Sequence, residues 1–122
     1  CSPENFGADI NIIKKAKDEG ANIIDNILPK DAAKDSNCIV TDTWFSMGDK
    51  EDNAKRKILE NYQVTNDLIN LAKDELIFLH CLPAHRGEEV TEEVIDGDKS
   101  FVWDEAENRV HAQKGIIDWC FS

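Results

Sequence analysis

Short apolar runs and amphipathic runs take turns along this chain, and that alternation restricts its fold more than any other feature. Residues 8–19 (ADINIIKKAKDE) repeat at a helical period, with Ile12, Ile13 and Ala16 on one stripe and Gly20 placed as a left-handed cap. The β-branched runs 21–27 (ANIIDNI) and 38–43 (CIVTDT) suit strands, with a short helix expected at 30–35 between them. Helices are expected at 51–61 and 65–72, a strand at 75–80 (ELIFLH), and a short helix at 91–96 before Gly97. A fourth short strand is expected at 100–104 (SFVWD). A last helix follows from about 105 to 120, with Asp104 and Glu107 as its capping pair. Strands separated by helices cannot form hairpins. They predict an α/β fold in three layers, a mostly parallel sheet flanked by helices, joined by right-handed crossovers.

At 122 residues the chain is one domain's worth, with no internal repeat and no linker. Its 25 acidic and 14 basic residues leave a net charge of −11, which excludes a phosphate backbone as partner, so no nucleic acid is expected. No apolar run approaches the roughly 20 residues of a membrane span. The four cysteines, at 1, 38, 81 and 120, form no CxxC pair, so reduced thiols in an intracellular, cytoplasmic protein are expected. The chain opens on Cys1 and a loop-like Ser2-Pro3-Glu4-Asn5, and reads as a piece of something longer, cut at the end of a strand.

In an open parallel sheet, ligands bind beyond the carboxyl ends of the strands. Two such ends are chemically unusual: Thr41-Asp42-Thr43-Trp44-Phe45-Ser46-Met47-Gly48, and His80-Cys81-Leu82-Pro83. A parallel sheet puts both on one rim. Asp42 reads either as a loop hydrogen-bonder or as a counter-charge for a substrate ammonium, with Ser46 and the Met47-Gly48 backbone at the other end of the ligand. Cys81 reads either as a small buried hydrophobe or as a reactive group, with His80, His85 and Arg86 close enough in sequence to lower a thiol's pKa. Arg109, in DEAENRVHAQK, is either a solvated helix residue balanced by Glu105 or Glu107, or a clamp for an anion or carbonyl.

A metal centre built on His80, Cys81 and His85 is not expected. Neighbouring residues at a strand end face opposite sides, and no second pair has zinc spacing. There is no GxGxxG, no GxxxxGK followed by Ser or Thr, and no GxSxG, so dinucleotide, P-loop and serine-hydrolase readings lack their motifs. No cofactor is expected.

Three stretches together carry a resemblance: TDTWFSMG, FLHCLPAHRGEEVTEEVIDG and DEAENRVHAQK, in this order. They resemble the carboxyl-terminal, ornithine-binding half of the ornithine carbamoyltransferases, over essentially all of residues 1–122 and including the closing IIDWCFS. The related aspartate carbamoyltransferases carry proline where this chain has Cys81 and lack the Ser-Met-Gly loop.

The resemblance implies a Rossmann-like second domain and a reaction: the side-chain amine of ornithine attacks carbamoyl phosphate, giving citrulline and phosphate. It implies that Asp42 holds the ornithine α-amino group, that Ser46 and Met47 contact the amino-acid end, and that Cys81 accepts the amine's proton. It further implies that the backbone carbonyls of Cys81 and Leu82 receive the carbamoyl NH2, and that Arg109 polarises the carbamoyl oxygen. A fixed cation there would be worth roughly 3 kcal/mol to the transition state. Implied too are a homotrimer, a role in arginine biosynthesis or a urea cycle, and a mitochondrial matrix location in a eukaryote with that cycle.

The family's amino-terminal half carries a Ser-x-Arg-Thr phosphate loop and a His-Pro-x-Gln segment. Neither occurs in this chain, so the isolated chain is expected to make no measurable citrulline and to bind ornithine weakly at best. Putrescine or N-acetylornithine as the acceptor, and a non-catalytic small-molecule-binding α/β module with Cys81 as packing, remain the alternatives.

Overall fold

A computed structural model describes residues 1–46, 48, 50 and 52–122. Its elements run α1 (Ile10–Asp18), α2 (Pro29–Ala33), β1 (Cys38–Thr41), α3 (Asn53–Leu59), a 3-10 turn (Glu60–Tyr62), α4 (Asn66–Ile69), β2 (Ile77–His80), α5 (Glu92–Ile95) and α6 (Val102–Phe121). The expected alternation is present, and β1 and β2 pair in parallel with Cys38 opposite Ile77 and Thr41 opposite His80. The α3–α4 stretch makes the crossover between them, which a parallel pair requires.

Side-chain alternation along β2 builds the core. Phe78 and His80 turn inward and are fully buried, while Ile77 and Leu79 face a half-open side. Phe78 packs with Val64, Ile69, Leu76, Val90, Val94, Ile95 and Val102 in one cluster. Each large apolar side chain buried there contributes about 1.5–3 kcal/mol.

Three sequence expectations give way at the level of elements. Residues 21–27 form no strand: Asn26 takes a positive φ of 55°, and the segment has no ladder partner among the described residues. A strand without a neighbour leaves its amides unpaired, so β-branched composition alone does not produce one. The expected strand at 100–104 shrinks to a bridge between Ser100 and Phe78, fastened by Phe78 N to Lys99 O at 2.7 Å and Phe101 N to Phe78 O at 2.9 Å. The helix takes over at once, with Glu105 N donating to Phe101 O, so α6 begins three residues early. Phe101, not Asp104, is its N-cap, and no side chain caps it.

The third concerns α1, whose N-cap is Asp9, accepting from Asn11 N at 2.7 Å. Ile13 and Ala16 are half-buried, but Ile12 of the expected stripe points out at 67% exposure. Gly20 does sit in the left-handed region, at φ 94°.

Helix α6 is anchored only at its root. Val102 is its one buried residue, whereas Trp103, Val110, Ile116, Ile117, Trp119 and Phe121 are all more than half exposed.

Candidate functional site

Pairing of Thr41 with His80 makes Asp42 and Cys81 the next residues beyond two adjacent strand ends. They meet there. The Cys81 thiol donates to Asp42 Oδ1 at 3.1 Å, and the same oxygen accepts from Thr43 N at 2.7 Å. Thr43 Oγ1 donates to Phe45 O at 3.0 Å, which folds the chain back after β1 and buries Trp44. Asp42, Thr43, Trp44 and Ser46 share the wall of a cleft of about 540 Å³ with Thr41 and Lys55. Met47, also expected at the site, lies outside the described residues.

The electrostatics reverse one expectation. The basic residues near Cys81 in sequence are turned away from its thiol. His80 points into the core, and Arg86 forms a two-pronged pair with Asp96 (Nε to Oδ2 2.9 Å, Nη2 to Oδ1 2.8 Å). His85 Nδ1 sits 3.8 Å from Glu89 Oε2. What faces the thiol is a carboxylate. The hydrogen bond to Asp42, then partial burial and the Asp42 charge, push the Cys81 thiol above its ordinary value. Asp42 moves the other way, held down first by the Cys81 hydrogen bond and then by the Thr43 amide. The proton therefore rests on sulfur and the charge on Asp42.

The turn after Cys81 is held by side chains. Leu82 adopts a positive φ of 52° before a cis bond to Pro83. Leu82 N donates to His80 Nδ1 at 2.9 Å, and His80 N donates to Glu105 Oε2 at 3.0 Å. Buried Glu89 receives His80 Nε2 at 3.1 Å and His85 N at 2.6 Å on its Oε1. Farther along, Gln63 Nε2 bonds the carbonyls of Gly87 (2.9 Å) and Glu88 (2.6 Å), and Arg56 pairs with Glu88 at 2.7 Å.

Arg109 is not beside Asp42 in the cleft. It lines a second cavity, of about 440 Å³, with Leu79, Phe101, Glu105 and Ala112 on the half-open side of β2. It is nevertheless one helical turn beyond Glu105, the residue that holds the His80 amide, and so shares its helix face.

His85, Glu88 and Glu89 are the group among the described residues whose ligand atoms approach within 4.8 Å of one another. Arg56 already engages Glu88, and the His80 ring and His85 amide engage Glu89. All four cysteines are free thiols, and among the described residues no helix is long and apolar enough to cross a membrane.

The supporting roles of His80, Glu89 and Glu105 were not anticipated. One signal for His80 was present: it lies two residues from Phe78 on a strand, hence on the same, inward side.

Two parallel strands that end in an acid–thiol pair near a cleft of mixed lining give an α/β domain the layout in which small molecules are commonly bound. Comparison with known proteins gives that class a family. Residues 1–120 match the domain described as aspartate/ornithine carbamoyltransferase, Asp/Orn binding domain, and the chain belongs to that family.

The ornithine carbamoyltransferase of Rhodopseudomonas palustris (strain BisA53) is 56% identical over 105 residues, covering 86% of this chain and 34% of the relative. That of Caldicellulosiruptor saccharolyticus is 52% identical over 122 residues, covering 96% of this chain and 40% of the relative. The crystal structure of ornithine carbamoyltransferase from Gloeobacter violaceus superposes with a TM-score of 0.84 at 40% identity, covering 96% of this chain and 40% of that one. The chain thus spans about two-fifths or less of the length of these relatives.

Proposed function

We propose that this chain is the ornithine-binding domain, residues 1–122, of an ornithine carbamoyltransferase. The enzyme transfers the carbamoyl group of carbamoyl phosphate to the side-chain amine of ornithine. One observation carries the reading: the 3.1 Å contact of the Cys81 thiol with Asp42 at the carboxyl ends of adjacent parallel strands. The names of the relatives add to it.

In this reading Asp42 attracts the ornithine α-amino group, while Ser46 and Met47 contact the amino-acid end. An ammonium cannot attack, so the side-chain amine must first lose a proton. An incoming cation beside the pair weakens the grip of Asp42 on the thiol and lowers the thiol's pKa. The thiol proton is then released to solvent, and the Cys81 thiolate takes one proton from the side-chain ammonium. The departing phosphate takes the second proton from nitrogen after attack. The freed amine attacks the carbonyl carbon; a C–N bond forms, the C–O bond to phosphate breaks, and phosphate departs with the electron pair. Arg109 stabilises the developing charge on the carbonyl oxygen once the rest of the enzyme holds α6 in place. The carbonyls of Cys81 and Leu82 receive the carbamoyl NH2.

The partners that follow are the amino-terminal carbamoyl-phosphate-binding domain and two further copies in a homotrimer. Arginine biosynthesis or a urea cycle is the setting, and cytoplasm or mitochondrial matrix the compartment. The apolar residues along α6 supply a surface for such contacts.

The test is a full-length chimera in which this chain replaces the matching 40% of the Caldicellulosiruptor saccharolyticus relative. Citrulline formation from ornithine should exceed carbamoylation of putrescine and of N-acetylornithine, and Cys81→Ala should cut turnover at least 100-fold while the protein stays folded. Preference for another amine, or unchanged turnover in Cys81→Ala, refutes the reading. The 122-residue chain alone should make no measurable citrulline.

A further inference from the structure

A buried histidine must satisfy two ring nitrogens, and a buried carboxylate costs several kcal/mol unless it is well paired. Apolar residues would fill the same space more cheaply if packing were the only task. His80 and Glu89 are both fully buried, and their hydrogen bonds end on the backbone around Cys81. An amide N–H can only donate, so His80 Nδ1 must accept from Leu82 N, and the ring proton must lie on Nε2, donated to Glu89. Glu89 in turn receives the His85 amide on the far side of the turn. The Leu82 and His85 amides, one and four residues after Cys81, are thereby tied to one internal pair. Leu82 needs the tie: a left-handed φ costs a non-glycine residue roughly 1–2 kcal/mol and persists only where its surroundings enforce it.

We infer that His80 and Glu89 are positioning residues, a buried pair whose geometry sets the Cys81–Leu82 backbone at the strand end. Neither is a catalytic residue, because both side chains are fully buried and out of a substrate's reach. For turnover the inference rests on the function proposed above; for structure it does not.

Two substitutions separate positioning from filling. In His80→Asn the side-chain oxygen can occupy the place of Nδ1 and keep the Leu82 bond. In His80→Gln the amide reaches the place of Nε2, keeps the Glu89 contact and loses Leu82. Glutamine is nearer to histidine in size, so a packing role predicts the opposite order.

The experiment uses the full-length chimera and three readouts. Nitrogen-15 imidazole spectra should place the His80 proton on Nε2. Hydrogen exchange at the Leu82 amide should stay near the parent rate in His80→Asn and rise about tenfold in His80→Gln, the loss of one hydrogen bond. Turnover should fall about 100-fold in His80→Gln, as a misplacement of about 1 Å can cost, with a smaller fall in His80→Asn and little change in KM for ornithine. A proton on Nδ1, or His80→Gln protecting Leu82 as well as His80→Asn does, overturns the inference. Should the parent chimera make no citrulline, the proposed function fails, and the spectra and exchange rates still decide this point.

Discussion

The thiol of Cys81 stands 3.1 Å from Oδ1 of Asp42, and the two residues reach each other from strands that never touch in sequence. The contact is a product of register. Thr41 pairs with His80, so the next residue on each strand leaves the sheet at the same level. A slip of one position would send one of the two to the opposite face.

The pair makes the thiol a poor acid in the unliganded protein. In a variant with Cys1, Cys38 and Cys120 replaced by serine, Asp42→Asn should lower the pKa of Cys81, because the largest cause of its elevation is removed. The rate of alkylation against pH measures it. An unchanged or higher midpoint would contradict the 3.1 Å contact.

Folding stability should respond to pH at both ends. Asp42 is depressed on folding, so its contribution is present above the ordinary carboxyl pKa and disappears as pH falls through the folded value. Cys81 is raised, so its contribution is present below the ordinary thiol pKa and disappears as pH rises through the folded value. Urea midpoints of parent and Asp42→Asn should differ most between those ranges and converge toward acid and toward alkali. A constant gap at every pH would argue against the linkage.

Phe78 sits where the strand pair, the α5 segment and the root of α6 converge, with no exposed surface. Phe78→Ala should cost about 3–5 kcal/mol, a large part of the 5–15 kcal/mol typical of a domain. A loss below 1 kcal/mol in urea denaturation would mean that the core is elsewhere.

Gly97 tests the turn after α5. A Cβ there would collide with the carbonyl oxygen of Glu93. Gly97→Ala should therefore destabilise by roughly 1–3 kcal/mol, read as a fall in Tm of about 3–6 °C per kcal/mol for a chain of this length. Gly115→Ala is the control, since a Cβ at that position meets nothing nearby and the helix gains propensity.

Local signals carried the reading of the sequence wherever a residue's partner was a neighbour on the same element. The alternation gave away the parallel pair, Gly20 its cap, and the strand ends their rim. The meeting of Asp42 and Cys81 was legible because both stand one residue past strand ends that a parallel pair brings level. The charge state of Cys81 was not. Sequence proximity to His80, His85 and Arg86 suggested a positive surrounding, but strand alternation buries the first, and Glu89 and Asp96 face the other two. Residues 21–27 failed for a related reason, since whether a β-branched run becomes a strand depends on a neighbour that its own composition does not specify.

The three tryptophans of this chain occupy two unlike surroundings. Trp44 is 8% exposed against the loop that carries the site, while Trp103 and Trp119 on α6 are 61% and 79% exposed. Burial should shift emission from the first to the blue, and emission from the other two should resemble that of indole in water. Opening of the cleft loop would redden the spectrum, and anything that settles over α6 would shift it to the blue. The direction of one optical signal, without any label, thus distinguishes the chain coming apart from the chain being joined.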